Sequence, residues 1–451
     1  MKEWIYLPIE TKNRELHSRI LLALNAVLEN FNVVIASKNK LRKLIRYYPP
    51  GFVFFKDHAS NKTKEFMEEA ISYSHKIILL DEESIVFHPD DIFKKIRVNI
   101  EATKLIDHAF FIGKEHKNVY ERINVLKFLK DFTISGNPRF DMTTPLLRDT
   151  YKNEVLKLRK KYGKFILVNT HFAQANHLDG DRGFLARVKK SDYANDLEVR
   201  KYLEDLSNER KKLFENYCKD LIPNLSKEFK DFKIIIRTHP EENDSKYELL
   251  ARKFKNIIVI HKGSVHPWIL ASELLIHSGC TTGTEAYALD KISIFYNCLK
   301  LNYPGLSTYE VENKTQLFSL IKTIIKGNTK KVNNDLKKLQ KIINLSEDLL
   351  SFDSIIQALK KYKFKRKGIE INLSFQKELI NNLLESVVYF FRNIKFLFYR
   401  KGMVKSGRKK FNGLNKKESI IIINALKKQL SIRKSIQIYN LGPDAILVKN
   451  K

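Results

Sequence analysis

Short, continuous apolar runs alternate with stretches of helical apolar spacing through roughly the first three hundred residues. Trp4–Ile9, Val33–Ala36, Gly51–Phe55, Lys76–Leu80, Ala109–Ile112 and Phe132–Ile134 read as strands, with Leu16–Leu28 and Glu65–Tyr73 as helices between them. Strands apolar over their whole length are buried on both faces, which implies a parallel sheet covered by helices. Thr150–Tyr162 reads as a charged helical linker. A second series follows: Phe165–Val168, Lys233–Arg237, Ile257–Ile260, Leu274–His277 and Ser293–Tyr296, with a long helical stretch over Leu197–Leu221. The pattern predicts an α/β chain of two Rossmann-like domains, 1–149 and 150–325. From Lys326 the composition turns Lys-rich with Leu/Ile at helical spacing (Leu336–Leu350, Phe375–Tyr399), so 326–451 reads as a basic helical extension packing back on the N-terminal domain. Arg400–Lys410 reads as a basic hinge, and Ser419–Leu430 fits a strand or a helix equally well.

In open parallel sheets, ligands bind beyond the carboxyl ends of the strands, so the residues just after each apolar run are the candidate chemistry. After Phe132–Ile134 comes Gly136-Asn137-Pro138-Arg139-Phe140-Asp141. Gly and Asn permit unusual φ and Pro fixes the next, so a turn presents a cation and a carboxylate. Asp141 is read here as the centre of a sugar-transfer site, with Asn137 and Arg139 on the substrate. Lys76–Leu80 runs into Asp81-Glu82-Glu83, where neighbouring carboxylates would raise each other's pKa, as a general base or acid near neutrality requires. Glu10 and Glu15 share that rim, with Arg14 a partner for a substrate carboxylate.

In the second series Lys233–Arg237 ends in Thr238-His239-Pro240. His239 can donate to a phosphate and Arg237 can add charge, while Pro240 stops the strand. Leu274–His277 opens into Ser278-Gly279-Cys280-Thr281-Thr282-Gly283-Thr284-Glu285, with a helix starting near Glu285. Two glycines allow close backbone approach, the hydroxyls donate, and a helix N-terminus favours an anion. The Gly-Lys-Ser/Thr ending of a P-loop is absent. Glu285 would accept from a ribose. Asp179-Gly-Asp181 reads as a plain loop and not as a metal site, so no metal is expected.

The formal charge of +31 implies an anionic partner. Nucleic acid is the weaker reading, because the basic residues are diffuse and no nucleic-acid module is present. The aromatic and basic cluster Tyr389–Tyr399 suits peripheral contact with an anionic membrane. Cys218, Cys280 and Cys298 are scattered, which suits a reducing compartment. With no signal-like start and no apolar run of spanning length, the expected location is the cytoplasm, at the inner face of the membrane.

Leu7-Pro-Ile-Glu10 with Arg14-Glu-Leu16, Leu80-Asp-Glu-Glu83, Gly136–Asp141, His239-Pro240 and Ser278–Glu285, in that order, resemble the bacterial surface carbohydrate biosynthesis proteins related to retaining β-Kdo transferases. The resemblance implies a GT-B-like fold, a CMP-activated ulosonic acid donor, a lipid-linked or oligosaccharide acceptor, transfer with retention, and no metal. On these positions it implies Asp141 as nucleophile, Glu82 or Glu83 as base, and His239 with Ser278–Thr284 holding CMP. Ser84 stands where many nucleotide-sugar enzymes carry Gly. Polyol-phosphate transfer or UDP-sugar epimerisation on the same scaffold, or an inactive scaffolding role, remain alternatives.

Overall fold

The computed structural model describes residues 2–83, 85, 88–180, 182–327, 334–346, 349–364 and 410–450. Six parallel strands come from the first series: β1 (Glu3–Ile9), β2 (Phe31–Ser37), β3 (Phe52–Phe55), β4 (Lys76–Leu80), β5 (His108–Phe111) and β6 (Phe132–Ile134). Six more come from the second: β7 (Phe165–Asn169), β8 (Lys233–Arg237), β9 (Ile257–Val259), β10 (Leu274–His277), β11 (Ser293–Tyr296) and β12 (Tyr309–Val311). The two-lobed, GT-B-like α/β arrangement expected from the apolar runs is therefore present.

The chain does not end in helices alone. β13 (Ile436–Asn440) and β14 (Ala445–Asn450) form a hairpin, and β14 pairs antiparallel with β2, giving the first sheet the order β13-β14-β2-β1-β3-β4-β5-β6. The extension thus completes the first lobe. Its helices Ser351–Lys360 and Lys416–Gln429 bury Ile355, Leu359, Ile422, Ile423 and Leu426 in one core with Leu16, Ile20 and Leu24 of the helix Lys12–Leu28. Ser419–Leu430 is resolved in favour of helix, since its buried positions recur at helical spacing. The helix expected over Leu336–Leu350 stops at Ile342. There the backbone N–H of Asn344 donates to Ile112 O and its Nδ2 to Ile134 O, pulling the chain extended along the first sheet. Phe375–Tyr399, with its aromatic cluster, and most of the basic hinge lie outside the described residues.

The second sheet has the order β12-β11-β10-β7-β8-β9. Connections leave β7 in one direction and β10 in the other, so the topological switch point falls between these two strands; in the first sheet it falls between β1 and β3. Ligand sites are expected beyond Asn169 and His277 in one lobe and beyond Ile9 and Phe55 in the other.

Both lobes bury histidines as neutral imidazoles. Burial lowers the pKa of His17 and His277 to about 3 and that of His58 and His116 to about 4. The unfolded chain takes up these protons near 6.5 and the folded chain does not, so the stability they contribute is present above pH 6.5 and lost as pH falls through that value. One unit below, each costs about 1.4 kcal/mol. A thermal midpoint that falls between pH 6.5 and 5 in a scanning-calorimetry series is the expected result. The fall is less steep than the histidines alone would give, because two buried carboxylates, Asp141 and Glu242, take up protons on folding over that range. A midpoint that rises there would contradict the buried neutral state.

Candidate functional site

At the second switch point two strand ends are tied together. The backbone N–H of His171, just beyond β7, donates to Ser278 Oγ at 3.0 Å, and Arg210 Nη1 reaches from the helix Leu197–Asn216 to Ser278 O at 2.5 Å. Gly279 takes φ +78°, where a side chain would be strained and would press on the Phe295 ring. The helix Thr281–Ala288 then begins with no side-chain cap, leaving N–H groups and the half-buried Thr281 and Thr282 at its start. An uncapped helix start of this kind, just beyond a strand end, is chemically able to accept an anion.

His239 follows β8 and stands edge-on to His171, ring centroids 5.0 Å apart. Its Nδ1 accepts from the Glu241 N–H at 3.3 Å, which leaves the proton on Nε2 as a donor. Burial lowers the pKa of both rings, that of His171 to about 4, so both are neutral. His171 escaped the sequence reading, although Asn169-Thr170-His171 after an apolar run carries the same strand-end signature as His239. Glu242 holds these loops. Its carboxylate accepts from Phe172 N, Thr170 Oγ1, His239 N and Tyr247 OH, and burial pushes its pKa up to about 7.

Across the cleft stand the strand ends of the first lobe. Glu15 is buried, accepts from the backbone N–H groups of Glu10 and Thr11, and pairs with Lys56 at 2.7 Å and Arg14 at 3.4 Å. Arg14 also lies 3.6 Å from Glu83, and Arg97 grips Asp81 with both carboxylate oxygens at 2.8 Å while lying 3.6 Å from Glu83. Glu10 is exposed and pairs with Lys56, whose charge lowers its pKa. Lys410 of the extension bridges the lobes, 3.5 Å from Glu10 and 2.9 Å from Glu241.

Several sequence expectations are corrected. Asp141 does not face the cleft: it is 0% exposed, and its carboxylate accepts from Ser351 N (3.0 Å), Ser351 Oγ (2.7 Å) and Phe352 N (3.1 Å) at the start of the helix Ser351–Lys360. Burial raises its pKa to about 7 against those hydrogen bonds. Glu82 is buried, 2.8 Å from Arg19 Nη2, an ion pair without hydrogen-bond alignment. Glu83 alone of the acidic run turns its side chain out, at 58% exposure. Burial would raise the Glu83 pKa, but Arg14, Arg97 and Lys56 outweigh it and hold it well below the usual range, not near neutrality.

Arg237 donates to the carbonyls of Lys262 and Gly263 and stacks on Trp268, so it braces a loop and offers no charge to a phosphate. Thr284 Oγ1 accepts from Leu306 N, and Gly283 lets the helix close on the His277 ring. Glu285 is buried beneath the turn, 3.0 Å from His266 Nε2 and 3.9 Å from Arg139 Nε, leaving no opening to a ribose. Arg139 and Asn137 are 2% and 1% exposed, and Arg139 Nε and Nη1 and Asn137 Nδ2 have no hydrogen-bond partner. These are stranded donors between the lobes. Pro240 is half-buried beside His239.

Among the described residues no cluster of three or more His, Cys, Asp or Glu could hold a metal ion; Asp179 pairs with Arg187, and Asp181 lies outside them. No helix among them is long and apolar enough to cross a membrane. A cavity of about 1820 Å³ lies beside the cleft, between Asn243–Glu248 and Val259–Gly263 of the second lobe and Lys410–Glu418 of the extension.

No family model and no curated protein matches the chain. Among solved structures it is similar to a UDP-GlcNAc 2-epimerase from Methanocaldococcus jannaschii in complex with UDP-GlcNAc and UDP (15% identity, 80% of this chain and 100% of that one, TM-score 0.48). It is also similar to the wall teichoic acid polymerase TagF soaked with CDPG (14%, 80% and 88%, TM-score 0.44) and to a Neisseria meningitidis UDP-GlcNAc 2-epimerase bound to UDP-GlcNAc (11%, 80% and 100%, TM-score 0.46). At such scores these likenesses carry no argument about this chain's chemistry.

Proposed function

We propose that this protein is a sugar transferase of bacterial surface carbohydrate synthesis, holding a nucleotide-activated donor between its lobes. The observation that carries the reading is the junction of β7, β8 and β10, where His171 stands against His239 and its backbone N–H is tied to Ser278, just ahead of an uncapped helix start. The motif resemblance supports a CMP-linked ulosonic acid, Kdo or a relative, as the donor, and neutral imidazoles at the strand ends can donate to its phosphate. Its sugar carboxylate has a partner in Arg14, which is partly exposed on the cleft, whereas Arg139 and Asn137 are buried out of its reach.

Of the two carboxylates expected as base, Glu83 takes the acid–base role, since Glu82 is buried against Arg19. Arg14 and Arg97 hold it ionised in the free protein. An anionic donor brought against Arg14 offsets that hold and raises the Glu83 pKa towards a value useful for accepting the acceptor's hydroxyl proton. A glycosyl-enzyme on Asp141 is not part of this reading, because the carboxylate would first have to abandon three buried hydrogen bonds.

Titration calorimetry with CMP, UDP and CDP tests the nucleotide assignment. CMP is expected to bind, and His239→Ala to weaken it about tenfold or more, the scale of a lost hydrogen bond to a charged group. Turnover of UDP-GlcNAc or CDP-glycerol with none of CMP-Kdo would overturn the donor assignment.

A further inference from the structure

The helix Lys416–Gln429 buries Ser419, Ile422, Ile423 and Leu426 against the first lobe. Its outward stripe is Lys417, Ile420, Ile421, Asn424 and Lys428, positions that share one face at 3.6 residues per turn. A helix on a water-exposed surface carries polar groups there, yet Ile421 is 69% exposed and Ile420 38%. Lys416 and Lys417 are exposed beside them at one end, and Lys428, Arg433 and Lys434 at the other. Glu418, the helix's acid, turns away and pairs with Lys12 at 2.7 Å. Two adjacent branched apolar side chains framed by cations, on a chain of charge +31, are complementary to a bilayer with anionic headgroups.

We propose that this outward face of the helix Lys416–Gln429 docks the protein on an anionic lipid surface, with Ile420 and Ile421 entering the headgroup boundary and the lysines meeting lipid phosphates. Lys416, Lys417 and Ile420 also line the 1820 Å³ cavity beside the cleft, so the docked face and the cavity share a wall. On the transferase reading, that cavity is where an acceptor carried in the bilayer enters. Docking itself does not depend on that reading.

The test is flotation of the full chain with vesicles of phosphatidylcholine alone or mixed with phosphatidylglycerol, at low and high salt. Wild type is expected to float with the mixed vesicles and be released by salt. Lys416→Glu/Lys417→Glu/Lys428→Glu should weaken partitioning on the order of a hundredfold, since each basic residue near the surface contributes separately. Ile420→Ser/Ile421→Ser should lose it by a separate, salt-insensitive route. Should the serine variant fail to fold, the charge variant decides. Equal partitioning of wild type and variants, equal binding to neutral vesicles, or a dimer in solution that Ile421→Ser dissolves would each overturn the proposal. Binding of CMP by titration calorimetry is measured in parallel, so loss of the transferase reading and loss of the docking face are separately visible.

Discussion

Asp141→Ala is expected to destabilise the first lobe by about 3–5 kcal/mol, because it strands three buried donors at once. Ser351 N, Ser351 Oγ and Phe352 N all point at the lost carboxylate from buried positions. Part of the cost is the loss of a helix cap, worth about 1 kcal/mol. The rest is desolvation left uncompensated. The consequence is not confined to one turn. The helix Ser351–Lys360 packs its Ile355 and Leu359 on the same core as the helix Lys12–Leu28, which carries Arg14 and Glu15. Asp141→Asn keeps one acceptor oxygen and should cost less. Urea unfolding of both variants measures this, and a midpoint equal to wild type for Asp141→Ala would refute the anchoring role.

Glu83→Gln should leave the fold intact and lower transfer by about 10²–10⁴-fold, the range typical of removing a general acid–base group. The side chain is exposed, and its loss unburdens Arg14 and Arg97 without burying an unpaired charge, since Arg97 keeps its two-oxygen grip on Asp81. Donor affinity should hold or rise slightly, because a negative charge facing an anionic donor is gone. A fall in kcat with KM unchanged or lower is therefore the expected kinetic signature. A variant that loses binding and keeps its rate would move Glu83 from chemistry to positioning. Glu82→Gln behaves differently on this account: it breaks the buried pair with Arg19 and should show mainly as instability.

Much of the scaffold was legible because its strands are short apolar runs and parallel pairing leaves few other arrangements for them. The turn at Ser278–Thr282 was legible for the same reason: strand, glycine and helix start follow one another along the chain. What the chain order hides is partnership over distance. Asp141 looks like a presented acid after a turn until Ser351, 210 positions later, is seen to occupy it. Arg237 looks like a phosphate ligand until Trp268 and two loop carbonyls claim it. Glu82 and Glu83 are neighbours in sequence, but one faces Arg19 in the core and the other the cleft. The β13–β14 hairpin was hidden because its pairing with β2 joins the two ends of the described chain.

The most direct measurement is the rate of CMP release from CMP-Kdo, with a glycan acceptor, by wild type, Glu83→Gln and Asp141→Asn at equal concentrations of folded protein. The account predicts release by wild type, near-complete loss in Glu83→Gln, and release by folded Asp141→Asn within about tenfold of wild type. Abolished release in folded Asp141→Asn, with a sugar adduct on Asp141 trapped in Glu83→Gln, would contradict it.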